Sequence, residues 1–399
     1  MRIISSKKMM NEMARMYVYH MVSSKVNGWF SYGVNEAMVI PVDLDQARAQ
    51  AKAQAKEDAL KFPRYSEDEI LLYGMIKDQL KCCLQGNNSA VRDVFLERLA
   101  KEMRVFYLDE FSRNPYIRNI RFEPRRCGRF RLEYTDFEPF ELFFYDSAVQ
   151  YTDLWMDIPR IGCFAEKCQF PIIVEETENT AFTWMSVSPN EVCTMEKPIE
   201  HASGNVLTLG CGMGYFAYMA SMKDDVASVT VVEREQDVID LFQKYILPQF
   251  EHKEKISIVK GDAVEYLRNM TDGEFDYCFA DIWSAVNDIE PYFVVKEIGR
   301  DLRKTRIEYW IEDSIACYLS EYVWLEILGS LFGQGDDQLP YTMYEKMAFY
   351  ENMAFKGSSP ARYIHRLLQN EEISRVEHIR YYMDHKNIIS MIDQTDILF

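Results

Sequence analysis

The polarity pattern of this chain is sharpest past residue 200, where short apolar runs alternate with helical spacings. Asn205 to Leu209 is an apolar run of strand length that passes directly into three glycines, Gly210, Gly212 and Gly214. A helical stretch, Phe216 to Met222, follows, and then a β-branched run, Val229 to Val232, that ends on Glu233. Val238, Ile239, Leu241, Phe242 and Tyr245 recur at helical spacing. Further strands are expected over 256–259, 277–280 and 309–311. Strands alternating with helices point to an α/β core.

The strand ends carry the candidate chemistry. Residues without a Cβ let the backbone turn sharply and approach a ligand, and the helix that follows aims its N-terminus at the same place. Glu233 stands 23 residues after Gly210, at the tip of the second strand, where a carboxylate can accept hydrogen bonds from both hydroxyls of a ribose. The third strand runs into Gly261-Asp262-Ala263, and the fourth ends on Asp281-Ile282-Trp283.

This series resembles the class I S-adenosylmethionine-dependent methyltransferases, and within them the spermidine-synthase-like branch, over roughly Gly204 to Ser314, a little over a quarter of the chain. The resemblance implies a Rossmann-like methyltransferase sheet with S-adenosylmethionine as cofactor. It implies that Gly210 to Gly214 hold the methionine part, that Glu233 holds the ribose, and that Asp262 meets the adenine amino group beside the Ala263 N–H. It also places Asp281 where the transferred group meets its acceptor. The candidate cofactor set is therefore Gly210, Cys211, Gly212, Gly214, Tyr215, Glu233, Arg234, Asp262, Ala263 and Asp281. The candidate catalytic residues are Asp281 and Trp283. A nicotinamide dinucleotide is disfavoured, because its fingerprint needs a small residue where this chain has Tyr215.

Three departures from the family pattern shape the expectation. Thr208 stands where many methyltransferases carry an acid, and Met213 where similar aminopropyltransferases carry an Asp in the glycine turn. After strand four, Asp281-Ile-Trp-Ser-Ala-Val-Asn-Asp288 replaces their compact two-acid segment. The favoured reading is methyl transfer to a small-molecule amine or hydroxyl. Asp281 orients or deprotonates the acceptor, and Trp283 either shapes the pocket or packs in the core. In-line displacement from a sulfonium demands alignment and desolvation more than acid-base machinery, so one positioned carboxylate suffices. An aminopropyltransferase using decarboxylated S-adenosylmethionine and a non-catalytic cofactor-binding scaffold are the alternatives.

Outside residues 201–315 the expected organisation is a helical N-terminal region over 1–115, a β-rich segment or lid over 116–200, and a helical C-terminal extension over 316–399. Asp43 to Lys61 reads as a helix stopped by Pro63, a second begins near Ser66, and a third spans Ala90 to Tyr107. Prolines in Phe137–Tyr145 and Phe164–Val174 sit at turn-like places. Trp184 to Met195 precedes the first core strand, so Glu191, Thr194 and Met195 are candidates for the cofactor-pocket wall, with a structural strand as the competing reading. No antiparallel sixth and seventh strands are evident after residue 315.

Composition narrows the partners. The chain has 399 residues, 48% of them hydrophobic, enough for two or three domains. No apolar run has transmembrane length and no signal segment opens the chain, so a soluble, cytoplasmic protein without membrane association is expected. A net charge of −18 argues against nucleic acid. Six arginines between Arg118 and Arg131 are read as a solvated hairpin in preference to an anion or RNA site. The nine cysteines, Cys82-Cys83 and Cys163-x4-Cys168 among them, match no zinc or disulfide pattern, and the six histidines show no helical pair with an adjacent acid, so no metal is expected. A small-molecule substrate is the expected partner, with a homodimer surface among the roles open to the N-terminal segments.

Overall fold

The structure, a computed structural model, describes residues 1–4, 6–35, 46, 49, 53, 65–83, 89–177, 180–332 and 359–395. It opens with β1 (Arg2–Ile3), α1 (Lys7–Asn35), α2 (Glu67–Cys83) and α3 (Ser89–Glu102). Ser66 and Glu69 start α2 as a capping box: the Glu69 N–H donates to Ser66 Oγ at 3.2 Å and the Ser66 N–H to Glu69 Oε2 at 2.6 Å. Leu71, Leu72, Ile76 and Leu80 are thereby turned into a core shared with Val22 and Val26 of α1 and Phe95 and Leu99 of α3. The stretch Asp43 to Lys61 and Pro63 lie outside the described residues, apart from helical positions 46, 49 and 53.

The third helix is shorter than the expected Ala90 to Tyr107. It ends at Glu102, and β2 (Arg104–Phe106) pairs in parallel with the later strand Met156–Phe164. Val105 and Phe106 bury their side chains there, so tertiary pairing outweighs helical continuation.

Next come α4 (Leu108–Ser112), α5 (Pro115–Asn119), β3 (Arg125–Cys127), β4 (Phe130–Phe137), β5 (Phe143–Tyr151), β6 (Met156–Phe164), β7 (Cys168–Glu176) and β8 (Ala181–Ser186). They make two sheets, ordered β2-β6-β5 and β3-β4-β7-β8. Phe106, Phe111, Phe137, Phe143, Phe164 and Phe170 meet between them, several edge to face. Pro139 lies in a turn, but Pro171 lies inside β7 opposite Tyr134; it forfeits a donor there, while its carbonyl accepts the Val187 N–H at 3.0 Å.

The arginine-rich hairpin is real but narrower than expected, with Arg118 in α5 and the turn at Gly128. Its guanidinium groups are occupied by acids. Arg125 pairs with Glu123, Arg126 with Glu176, Arg131 with Glu133 and Glu176, and Arg129 with Glu175 and, at 2.9 Å, with Glu235.

After α6 (Pro189–Thr194) and α7 (Glu196–His201), the α/β core runs β9 (Gly204–Leu209), α8 (Tyr215–Ser221), β10 (Val226–Glu233), α9 (Gln236–Leu241), β11 (Ile256–Lys260), α10 (Ala263–Asn269), β12 (Tyr277–Ala280), α11 (Glu290–Gly299) and β13 (Arg306–Tyr309). All five strands are parallel, in the order β11-β10-β9-β12-β13, so the chain reverses its direction of travel between β9 and β12. Ligands of open parallel sheets sit at the carboxyl ends beside such a switch point. Period-2 alternation sends Leu207, Leu209, Cys278 and Ala280 to one face and Val206, Tyr277 and Phe279 to the other, which makes each face the floor of a separate core.

The fifth strand is Arg306–Tyr309 and not 309–311. Trp310 still donates its N–H to the Ala280 carbonyl at 3.0 Å, but Ile311 takes φ +50°, which ends the strand. Among the described residues no antiparallel sixth or seventh strand follows; the next element is α12 (Glu312–Phe332). The end of the chain holds α13 (Ser359–Leu368), β14 (Glu372–Ile373), α14 (Val376–Met383) and α15 (His385–Gln394). β14 pairs in parallel with β1, and Met9, Met13 and Met16 of α1 join α12, α13 and α14 against the Leu207–Leu209 face of the sheet.

Candidate functional site

The site grows from the end of β9. Gly210 takes φ +97°, and a Cβ there would lie 2.2 Å from the Asp281 carbonyl oxygen, so the turn can pass beneath β12 only as glycine. Gly214 takes φ +78°, and its missing side chain makes room for the Phe242 ring. Gly212, at φ +51°, differs: among the described residues nothing lies within 4 Å of its would-be Cβ, so its bare backbone faces open space. Thr208 is buried and donates its hydroxyl to the Gly210 carbonyl at 3.3 Å, a bond within the turn itself.

That open space is a cleft of about 680 Å³ at the carboxyl end of the sheet. Of the expected cofactor set, Gly210, Cys211, Gly212, Tyr215, Glu233, Arg234, Asp262, Ala263 and Asp281 line it; Gly214 does not and is turned toward Phe242. Trp283 lines it as well. From the β-rich segment come Phe182, Trp184, Met185 and Ser186, and from the following helices Glu191 and Met195. Thr194 stands one step back, accepting the Trp310 indole N–H at 3.0 Å.

Several lining residues also carry structure. Glu233 accepts the Cys211 N–H at 3.1 Å with one oxygen and the Glu235 N–H at 2.8 Å with the other. Asp262 caps α10 by accepting the Glu265 N–H at 2.9 Å. Tyr215 sits edge-on to Tyr116, and its hydroxyl accepts from the Asn114 side chain at 2.8 Å, which staples α8 to α5. Trp283 is buried, edge-on to Tyr292, and donates its indole N–H to the Trp310 carbonyl at 3.2 Å; packing fixes its ring, and one edge borders the cleft.

The charges are lopsided. Glu191, Glu233, Asp262, Asp281 and Asp288 line the cleft, and Arg234 is the one basic residue among the described lining residues. Burial pushes the Asp281 carboxyl up to about 7. Burial, and then the charge of Asp281, pushes Glu191 up to about 8, although its Oε1 accepts the Ser186 hydroxyl at 3.0 Å. Two buried carboxyls lining one cleft, the charge of Asp281 acting on Glu191, form a site for a positively charged or protonated group. This partnership spans α6 and the end of β12, and no local motif announces it.

Residues 192–328 match the spermine/spermidine synthase domain family. No curated protein matches the chain. Among solved structures, spermidine synthase from Thermotoga maritima is similar at 16% identity over 36% of this chain and 58% of that chain, with a TM-score of 0.27. A spermidine synthase in complex with the transition state analogue AdoDATO is similar at 17% identity over 33% and 51%, with a TM-score of 0.26. A chain of the Trypanosoma brucei PRMT1 enzyme-prozyme complex with AdoHcy is similar at 21% identity over 29% and 37%, with a TM-score of 0.22. The chain thus spans about three fifths or less of the length of these structures. Among the described residues no helix is long and apolar enough to cross a membrane. The parallel five-stranded sheet with its switch-point cleft and the match over residues 192–328 together identify an α/β, Rossmann-like core similar to the spermine/spermidine synthase domain family.

Proposed function

We propose that the chain is a transferase that moves a methyl group from S-adenosylmethionine to a small-molecule amine. The observation that carries this reading is the pairing of Glu191 with Asp281 in a cleft whose other walls are a glycine turn and three further carboxylates. The donor set suits a sulfonium: five carboxylates favour a cation, and the bare face of Gly212 leaves a cradle that any Cβ would narrow.

In this reading the turn from Gly210 to Gly214 receives the methionine part, Glu233 and Arg234 flank the ribose, and Asp262 with the Ala263 N–H meets the adenine. When bound, the cofactor supplies a methyl carbon that an amine nitrogen attacks in line, with the electrons of the breaking carbon–sulfur bond leaving on a neutral thioether. Asp281 orients the acceptor nitrogen, and the Glu191–Asp281 pair takes the proton that the methylated amine gives up. Their raised pKa values suit that role, since a base is most useful when its pKa lies near the working pH. Residues 116–200 act as a lid that excludes water, because Phe182, Trp184 and Met185 close one side of the cleft.

A second reading has its own support. Glu191 supplies beside Asp281 the second carboxylate that the segment Asp281 to Asp288 lacks as a compact pair, and the family match over 192–328 points the same way. Aminopropyl transfer from decarboxylated S-adenosylmethionine is that reading. Calorimetric titration with each donor separates the two, with Glu233→Ala as control, followed by mass analysis of amines incubated with the protein and the preferred donor. Binding of the intact donor with Asp281-dependent methylation supports the first reading, and preference for the decarboxylated donor replaces it with the second. Binding of neither would leave the fold without a transfer role.

A further inference from the structure

Away from the cleft, Asp157 in β6, Cys317 in α12 and His385 at the start of α15 bring one oxygen, one sulfur and one nitrogen together. All three ligand atoms lie within 4.8 Å of one another. Asp157 and His385 are more than nine-tenths buried. Asp157 Oδ1 and His385 Nε2 stand 3.2 Å apart, within ion-pair distance of each other, and among the described residues neither makes a hydrogen bond. Buried polar atoms left in that condition are rare and call for an explanation.

The surroundings hold the donors in place. The Asp157 N–H donates to Ser23 Oγ at 2.8 Å, and the Asp157 carbonyl accepts from Ser23 Oγ and, at 3.1 Å, from the Asn27 side chain. Gln150 lies opposite Asp157 in the β5–β6 ladder. Its side-chain oxygen accepts the His385 N–H at 3.2 Å, and its amide donates to the Met383 carbonyl at 2.9 Å. One strand pair therefore sets Asp157 and also positions the start of α15 that carries His385.

We propose that Asp157, Cys317 and His385 bind one divalent cation of the zinc class, which ties the C-terminal helix to the N-terminal sheet. A thiolate, an imidazole and a carboxylate form the donor set such a borderline-soft ion takes, with a fourth position left for water. Tetrahedral bonds of about 2.0–2.3 Å separate neighbouring ligand atoms by about 3.4 Å. The observed Asp157–His385 spacing of 3.2 Å is already close to that value. The thiolate and carboxylate charges cancel those of the dication, so the filled site is neutral, as a buried site must be. None of the three residues lines the cofactor cleft. The role is a structural clamp, independent of the transferase reading.

The test uses the full chain, stripped of metal by chelation and reloaded with Co(II) or Zn(II). Stoichiometric Co(II) should give a thiolate-to-metal charge-transfer band with tetrahedral visible bands. Cys317→Ser should abolish the charge-transfer band, and Asp157→Asn and His385→Gln should each weaken Zn(II) binding by at least about tenfold. Zn(II) should also raise the melting temperature of the wild type but not of Cys317→Ser. A wild-type protein that binds no cobalt, or binds it without a sulfur charge-transfer band, overturns the proposal whatever the variants do. Zinc affinity unchanged in a folded Cys317→Ser overturns it equally.

Discussion

Glu233 reaches from the end of β10 to accept the backbone N–H of Cys211 at 3.1 Å, so the second strand holds the glycine turn of the first in shape before any ligand arrives. Its other oxygen accepts the Glu235 N–H, and Glu235 holds Arg129 of the hairpin. Glu233→Ala leaves one buried and one half-buried donor without partners and should cost about 1–3 kcal/mol of stability as well as donor affinity. Glu233→Gln, which keeps one acceptor, should lose less of both. Urea unfolding beside calorimetric titration checks this; affinity lost with stability unchanged would mean the carboxylate serves the ligand alone.

The pH dependence follows from Glu191 and Asp281. Burial raises both carboxyls, to about 8 and about 7, so the folded chain holds protons that the unfolded chain releases near pH 4. Stability is therefore fully present below about pH 4 as far as these groups are concerned and falls as pH rises toward about 8. Melting temperatures from pH 5 to 8.5 should decline more steeply in the wild type than in Glu191→Gln. Affinity for a cationic donor should run the other way, rising with pH as the pair ionises.

Two glycine substitutions should part company. Gly210→Ala forces a Cβ against the Asp281 carbonyl at a positive φ and should cost at least about 2 kcal/mol, visible in denaturant unfolding. Gly212→Ala meets no atom of the described residues within 4 Å, so its stability loss should stay near the roughly 1–2 kcal/mol of a left-handed alanine, while its methyl group obstructs the cleft. A Gly212→Ala protein with wild-type donor affinity would remove the turn from the binding site.

Trp310 links the last core strand to the helix that carries Glu191, through its indole bond to Thr194. Trp310→Phe keeps most of the packing and removes one hydrogen bond, worth about 1 kcal/mol. If α6 positions Glu191 for the acceptor, the variant should raise KM for the amine with little change in kcat. Steady-state kinetics against amine concentration reads this split.

The alternation of apolar strands with glycines and acids was enough to determine the α/β class and the part of the cleft lining that sits at the strand ends, because each of those signals lies within a few residues of a strand end. Boundaries set by contacts distant in sequence were not legible. Helix α3 stops at Glu102 because Val105 and Phe106 find β6, and the fifth strand stops at Tyr309 because Ile311 turns to positive φ. The arginines from Arg125 to Arg131 kept both a structural and an anion-binding reading until Glu175, Glu176 and Glu235 were seen to occupy them. Glu191 and Asp281, and likewise Asp157, Cys317 and His385, come from separate elements, and no periodicity or spacing within one element encodes a meeting between elements. Local chemistry is written along the chain; which charges share a buried space is decided only when the sheets and helices pack.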